Sequence, residues 1–275
     1  MTLHPPFLNV PSILRQYGLR PDKSLGQNFL QDSDSLEKIV QAAQINPDDS
    51  VLEIGPGLGN LTRYLALAAK TVTALELDRN LFPVLEAVLA PHPNVRLMAG
   101  DILRFSPSDL MEQDDYLVVA NVPYYITSAI FRHLLAKAPR PRRIVLTIQN
   151  EVAERICAQP GEMSLLALSI QVYGQPVIAA TIPAAAFYPA PKVDSAVIRV
   201  DMYPEPVIHH HLLDNFFRLA KAGFSQKRKT LRNSLSAGLA ISTSEAGQML
   251  EQAGIDPQRR AETLSLAEWG KLTDR

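Results

Sequence analysis

Between residues 50 and 150 short β-like runs alternate with helical patterns, and this alternation restricts the chain to a mostly parallel sheet with helices on its faces. The spacing predicts strands over 51–54, 71–77, 95–99, 116–120 and 143–148, with helices over 60–69, 79–89 and 127–136 between them. Two further runs, 177–182 and 193–200, are separated only by a loop, so the sheet is expected to carry an antiparallel addition at one edge. A helix over 33–43, capped by Ser33, precedes the sheet, and residues 24–30 read as a loop. After Val200 the pattern changes: Pro204 and Pro206 interrupt it, and from His211 onward it is helical. This predicts a first domain over 1–202 and a helical domain over 203–275, consistent with a 275-residue chain at roughly 150 residues per domain.

Ligands of open α/β sheets bind outside the carboxyl ends of the strands, and this chain concentrates its special residues there. Glu53-Ile54-Gly55-Pro56-Gly57-Leu58-Gly59 closes the first strand. Glycines at 55, 57 and 59 let the backbone approach a ligand where a Cβ would clash. The helix that follows offers free amino-terminal N–H groups to a carboxylate or other anion. A dinucleotide-binding turn needs its third glycine one position later, where this chain has Asn60, so the spacing disfavours NAD. Glu76, ending the second strand, can accept hydrogen bonds from both hydroxyls of a ribose, and Asp101, ending the third, can bond the exocyclic amine of an adenine. The three features in succession predict a site for a nucleoside cofactor.

The apolar run 116–120 leads into Asn121-Val122-Pro123-Tyr124. An adenine amine is a poor nucleophile because its lone pair is delocalised into the ring. Two acceptors on its N–H protons, the Asn121 side-chain oxygen and the backbone carbonyl of Val122 or Pro123, would pull the nitrogen toward tetrahedral geometry. Pro123 fixes its own φ and directs the neighbouring carbonyls outward, and Tyr124 can stack on the base. Attack on a sulfonium methyl is then an in-line displacement governed by positioning. No strong general base is required, because the alkylated ammonium loses its proton to water. Phe187, in Phe187-Tyr188-Pro189-Ala190-Pro191-Lys192-Val193-Asp194-Ser195, offers a second aromatic surface on a proline-stiffened loop for the other face of an extruded base.

A formal net charge of -1 gives no overall bias toward nucleic acid, so local clusters must carry that argument. Lys221, Lys227, Arg228, Lys229 and Arg232 lie close together with no acid among them and are candidate phosphate contacts. Arg140, Arg142 and Arg143 form a weaker candidate patch. The single cysteine, Cys157, sits in a helical pattern and reads as packing in a reducing cytosol. His209-His210-His211 opens a helix after a linker, and no metal site is expected. No secretory signal and no membrane-spanning run is visible, which predicts a cytoplasmic protein with no membrane partner.

On these residues the chain resembles the ribosomal RNA adenine N6,N6-dimethyltransferases, most closely the bacterial small-subunit type. The matching stretches are Gly26-Gln27-Asn28-Phe29-Leu30, the Gly55 turn, Glu76, Gly100-Asp101, Asn121 to Tyr124, the Phe187 to Ser195 loop and Phe224 to Leu231. Family members usually carry leucine at the position of Val122 and a polar residue at that of Tyr125, which leaves the Asn–Pro–Tyr groups intact. The resemblance implies S-adenosylmethionine as methyl donor, with Asn28 and Leu30 joining Gly55, Gly57, Glu76, Asp101 and Asn121 around it. It implies a Rossmann-like class I methyltransferase fold: a mostly parallel seven-stranded sheet with an antiparallel edge strand, plus a small all-helical carboxyl-terminal domain that binds RNA. It further implies N6,N6-dimethylation of two adjacent adenosines in a hairpin loop near the 3′ end of 16S rRNA, in small-subunit biogenesis; for the oligomeric state, a monomer is the default expectation. Related enzymes that target large-subunit rRNA, and a catalytically silent assembly factor on the same scaffold, are the competing readings. The intact Asn121 and Glu76 weigh against the second.

Overall fold

The structure, a computed structural model, describes residues 4–123, 126–136 and 138–274. The chain divides into two compact units: Met1–Ala153 with Val177–Met202, and Glu154–Pro176 with Tyr203–Arg275.

The first unit is built on the predicted strands β2 (Ser50–Ile54), β3 (Thr71–Glu76), β4 (Val95–Ala99), β5 (Tyr116–Asn121) and β6 (Pro141–Gln149), joined by β7 (Gly174–Ile182) and β9 (Ser195–Met202). Their order across the seven-stranded sheet is β4-β3-β2-β5-β6-β9-β7. β2, β3, β4, β5 and β6 run parallel, and β9 runs antiparallel to β6. β9 carries the antiparallel pairing to β6, and β7 lies outermost beside it. Val51, Leu52, Leu117, Val118 and Val119 are fully buried, as interior parallel strands covered on both faces demand. On one face, Leu36 and Ile39 of α2 (Ser33–Ala43) and Leu61 and Leu65 of α3 (Asn60–Ala68) pack with Val51, Leu117 and Val119. A second cluster joins Leu14 of α1 (Val10–Gln16) to Val84 and Leu85 of α4 (Phe82–Leu89). Two further helices, α5 (Pro107–Leu110) and α6 (Thr127–Ala136), flank β5 in sequence.

Two local expectations are corrected. The cap of α2 is Asp32, whose carboxylate accepts from the Ser35 N–H at 2.9 Å and the Ser35 hydroxyl at 2.6 Å; Ser33 is the first helical residue. Residues 24–30 are not wholly loop: β1 (Phe29–Leu30) pairs antiparallel with β8 (Phe187–Tyr188), matching Phe29 with Tyr188 and Leu30 with Phe187.

The second unit is helical, with α8 (Leu165–Gln171), α9 (Leu213–Gly223), α10 (Leu231–Leu239), α11 (Thr243–Gln252) and α12 (Leu266–Thr273); α7 (Asn150–Ile156) precedes them in sequence. A boundary at 203 alone does not describe it, because Glu154–Pro176 belongs to this unit. The reason is apolar packing: Met163, Ala167, Leu168 and Val172 enter one core with Phe216, Leu219, Leu235 and Trp269. Backbone bonds from Tyr203 N–H to the Tyr173 carbonyl and from Val207 N–H to the Val172 carbonyl, both 2.9 Å, tie the two segments together. A Cβ at Gly238 would lie 2.6 Å from Ala222, so α9 and α10 touch backbone against backbone there.

Candidate active site

Within the first unit the carboxyl ends of β2, β3 and β5, with the start of the Gly100–Ile102 turn after β4, surround one cavity whose remaining wall comes from β1 and β8. Gly55, Gly57, Glu76 and Asp101 line it, as do Asn28 and Leu30 from the amino-terminal loop. Asn121, Pro123 and Phe187 line the same cavity, so the two motifs, 68 residues apart between Glu53 and Asn121 (121 − 53), meet in space. Tyr124, the proposed stacking residue, and its neighbour Tyr125 lie outside the described residues.

The turn after β2 depends on glycine for two reasons. Gly57 has φ +62°, and a Cβ there would stand 3.0 Å from the Phe29 ring that closes the cavity. Gly59, at φ +84°, is the residue before α3 and provides no side-chain cap, which leaves the first N–H groups of that helix for a ligand.

Glu76 is buried, and both its oxygens are held: Oε2 accepts from Gly57 N–H at 2.9 Å and Oε1 from Asp78 N–H at 2.8 Å. Burial nevertheless raises its pKa above the ordinary carboxylate value. The Asp101 carboxylate folds back on Leu103 N–H at 3.0 Å, with Arg104 at 3.9 Å, and keeps acceptor capacity on the cavity side.

Asn121 is the last residue of β5, and its amide nitrogen donates to the Asn28 carbonyl at 3.3 Å. That bond assigns the amide: with nitrogen on the protein side, Oδ1 is the atom left to accept from a ligand. The Pro123 carbonyl accepts Ile126 N–H at 3.2 Å and retains a second lone pair. Phe187 is held by β8 against Leu30 and is buried, with its ring on the cavity wall. The pairing of β1 with β8 thus brings Asn28 and Phe187 to the site together.

Sequence reasoning missed Glu53 and Asn60. Both are buried on the cavity wall, and Glu53 Oε2 and Asn60 Oδ1 have no hydrogen-bond partner among the described residues. Unpaired buried acceptors are costly, so these two fit a ligand that brings donors, such as the ammonium of an amino acid. Burial, reinforced by Glu76, pushes the Glu53 carboxyl up to about 8. The signal was available: an acid inside an otherwise apolar strand immediately before a glycine turn. Because the folded-state value lies above the unfolded one, the stability associated with Glu53 is fully present below the ordinary carboxylate range and is lost as pH rises through about 8. Glu53→Gln should therefore raise the melting temperature of the ligand-free protein by several degrees at pH 9 and by little at pH 5. An equal shift at both pH values in calorimetry would show that ionisation is not the cause.

The basic residues separate into two kinds. Lys221, Lys227, Arg228 and Lys229 are exposed, Arg232 is half-buried, and among the described residues none of the five makes an ion pair. The weaker patch is a correction. Arg142 bonds Asp49 at 2.6 Å and Asp115 at 3.5 Å, and Arg143 bonds Asp201 and the Ala43 carbonyl, so these two brace the sheet. Burial raises the pKa of the Cys157 thiol, which does not favour a thiolate. No helix of the described residues is long and apolar enough to cross a membrane.

The 23S rRNA methyltransferase ErmE superposes with a TM-score of 0.71 at 28% identity, covering 90% of this chain and 98% of that one. A dimethyladenosine transferase from Plasmodium falciparum superposes with a TM-score of 0.76 at 25% identity, covering 89% and 95%. The fold is that of the Rossmann-like, S-adenosylmethionine-dependent methyltransferases. A family profile described as ribosomal RNA adenine dimethylase matches residues 18–275. The ribosomal RNA small subunit methyltransferase A of Dehalococcoides mccartyi strain CBDB1 is 45% identical over 273 residues, 96% of this chain and 94% of that protein. The chain belongs to the ribosomal RNA adenine dimethylase family.

Proposed function

We propose that this protein transfers methyl groups from S-adenosylmethionine to N6 of two adjacent adenosines in a hairpin loop near the 3′ end of 16S rRNA, acting as a cytoplasmic monomer on the small subunit or its precursor. The observation that carries the reading is the Asn121 amide, tied by its nitrogen to Asn28 and offering its oxygen to the cavity. Bound S-adenosylmethionine supplies an electrophilic methyl on a sulfonium. Gly55 and Gly57 admit its close approach, Glu76 takes the ribose hydroxyls, and Asp101 takes the adenine amine. Asn28 and Leu30 close over it from the amino-terminal loop, while Glu53 and Asn60 receive its amino-acid end. The target adenine presents its amine to Asn121 Oδ1 and a carbonyl of the Val122–Pro123 turn. Phe187 and Tyr124 stack on the extruded ring. Stacking worth about 1–3 kcal/mol per base offsets an unstacking cost of a few kcal/mol.

The choice of small-subunit substrate is supported by the 45% identity to a protein named for that subunit, against 28% to the 23S enzyme. Tritiated methyl transfer to small subunits lacking the modification, followed by mapping, tests it. With large subunits offered in a parallel reaction, label is expected on two neighbouring adenosines near the 3′ end of 16S rRNA; label on 23S rRNA alone would replace this substrate with the large subunit.

Lys221, Lys227, Arg228, Lys229 and Arg232 bind RNA phosphates in this proposal. Changing Lys227, Arg228 and Lys229 together to alanine should weaken RNA binding and flatten the plot of log K against log salt by about 0.7–0.9 per lost phosphate contact. An unchanged slope would make the cluster a bystander.

A further inference from the structure

Gln27 stands between the two halves of the site. Its Oε1 accepts from Asp22 N–H at 2.8 Å, and its Nε2 donates to Asp78 Oδ2 at 2.8 Å across 51 residues of sequence. Asp78 in turn donates its N–H to Glu76 Oε1 at 2.8 Å, and Glu76 Oε2 receives Gly57 N–H at 2.9 Å. In the next residue along, the Asn28 carbonyl receives the Asn121 amide. The dipeptide Gln27-Asn28 therefore bonds toward the ribose end of the cavity with one residue and toward the base end with the other. Both residues line that cavity.

Asp78 is well suited to hold the amide. Its Oδ1 is occupied by Asn80 N–H at 3.0 Å and Asn80 Nδ2 at 2.9 Å, which leaves Oδ2 facing Gln27. The loop behind Gln27 is itself pinned, with Asp22 Oδ1 bonding Ser24 N–H and hydroxyl at 2.7 Å and Gly26 N–H bonding the Lys23 carbonyl at 3.1 Å. A hinge between this loop and β3 would open at the one side-chain bond between Gln27 and Asp78.

We propose that Gln27 is a positioning residue that latches the amino-terminal loop across the cofactor cavity through Asp78, so that one latch aligns both the Glu76 carboxylate and the Asn121 amide. The inference rests on the reading of this cavity as the S-adenosylmethionine site. Binding of S-adenosylmethionine to the unaltered full-length protein tests that reading separately, before any variant is compared.

Gln27→Ala removes a hydrogen bond to a charged acceptor, and the dissociation constant for S-adenosylmethionine by calorimetry should rise about tenfold. With saturating cofactor the loop is largely reseated, so the fall in kcat for methyl transfer should be smaller than the fall in affinity, a split that general loss of structure would not give. Gln27→Glu sets two carboxylates against each other and should bind more weakly still. Gln27→Glu combined with Asp78→Asn reverses the polarity of the bond: the new amide donates to the new carboxylate, which still accepts from Asp22 N–H. The double variant should recover most of the affinity lost by Gln27→Glu alone. A Gln27→Ala affinity within twofold of the unaltered protein overturns the latch. So does a double variant no better than the single one, provided melting temperatures show both folded.

Discussion

Replacing Asn121 by alanine is expected to lower kcat for methyl transfer by about 10²–10³, the cost of deleting one preorganised polar contact to a reacting group. Affinity for S-adenosylmethionine should stay within a few-fold, because the glycine turn and Glu76 are untouched. The expectation follows from how the amide is held. Its nitrogen donates to the Asn28 carbonyl, so its oxygen has a fixed direction before substrate arrives. Asn121→Asp sharpens the test. A carboxylate keeps an acceptor but cannot donate to Asn28, and would face that carbonyl oxygen as a second acceptor. It should be nearly as damaging as alanine, whereas a role as mere acceptor predicts that it retains most activity. Single-turnover methylation at saturating cofactor reads both variants. Normal turnover by Asn121→Ala would remove the catalytic assignment.

Glu76→Ala should weaken S-adenosylmethionine binding by about 100-fold, since two hydrogen bonds to a charged acceptor are lost at about 1.5–3 kcal/mol each, less what water recovers. Two backbone donors, Gly57 N–H and Asp78 N–H, also lose their partner, which loosens the glycine turn. Glu76→Gln is not a conservative change here. An amide has one oxygen for two backbone donors and would turn an NH₂ toward an N–H, so it should fall close to alanine. Binding calorimetry decides: unchanged affinity in both variants would count against the ribose role, and a fully functional glutamine variant would count against the two-donor clamp.

The sheet and the cofactor motif were legible because both are local. Apolar runs of strand length ending in Gly55–Gly59, Glu76, Gly100-Asp101 and Asn121 announce strand ends without knowledge of what packs against them. What was illegible depends on partners remote in sequence. A two-residue strand such as β1 has no alternation to detect, and its meaning comes only from pairing with β8. Arg142 and Arg143 look like a basic patch until Asp49, Asp115 and Asp201 arrive from other strands and loops. Residues 154–176 read as a continuation of the sheet domain because nothing in their own pattern announces that Met163, Ala167 and Leu168 complete the helical core. Glu53 was visible as a letter in a motif, but its burial and raised pKa are properties of the folded wall around it. The caps Asp32 and Ser33 are adjacent residues of the same capping chemistry, and only geometry separates them.

The central claim is that a flipped adenine is gripped at its amino edge by the tip of β5. A crystal structure of the protein with sinefungin, a non-reactive cofactor analogue, and an adenosine-containing RNA hairpin tests it most directly. N6 of the extruded base is expected at hydrogen-bond distance from Asn121 Oδ1 and from a carbonyl of the Val122–Pro123 turn, with Phe187 against the ring. An adenine amine bound elsewhere in the cavity, with Asn121 still turned to Asn28 and touching no substrate, would contradict it.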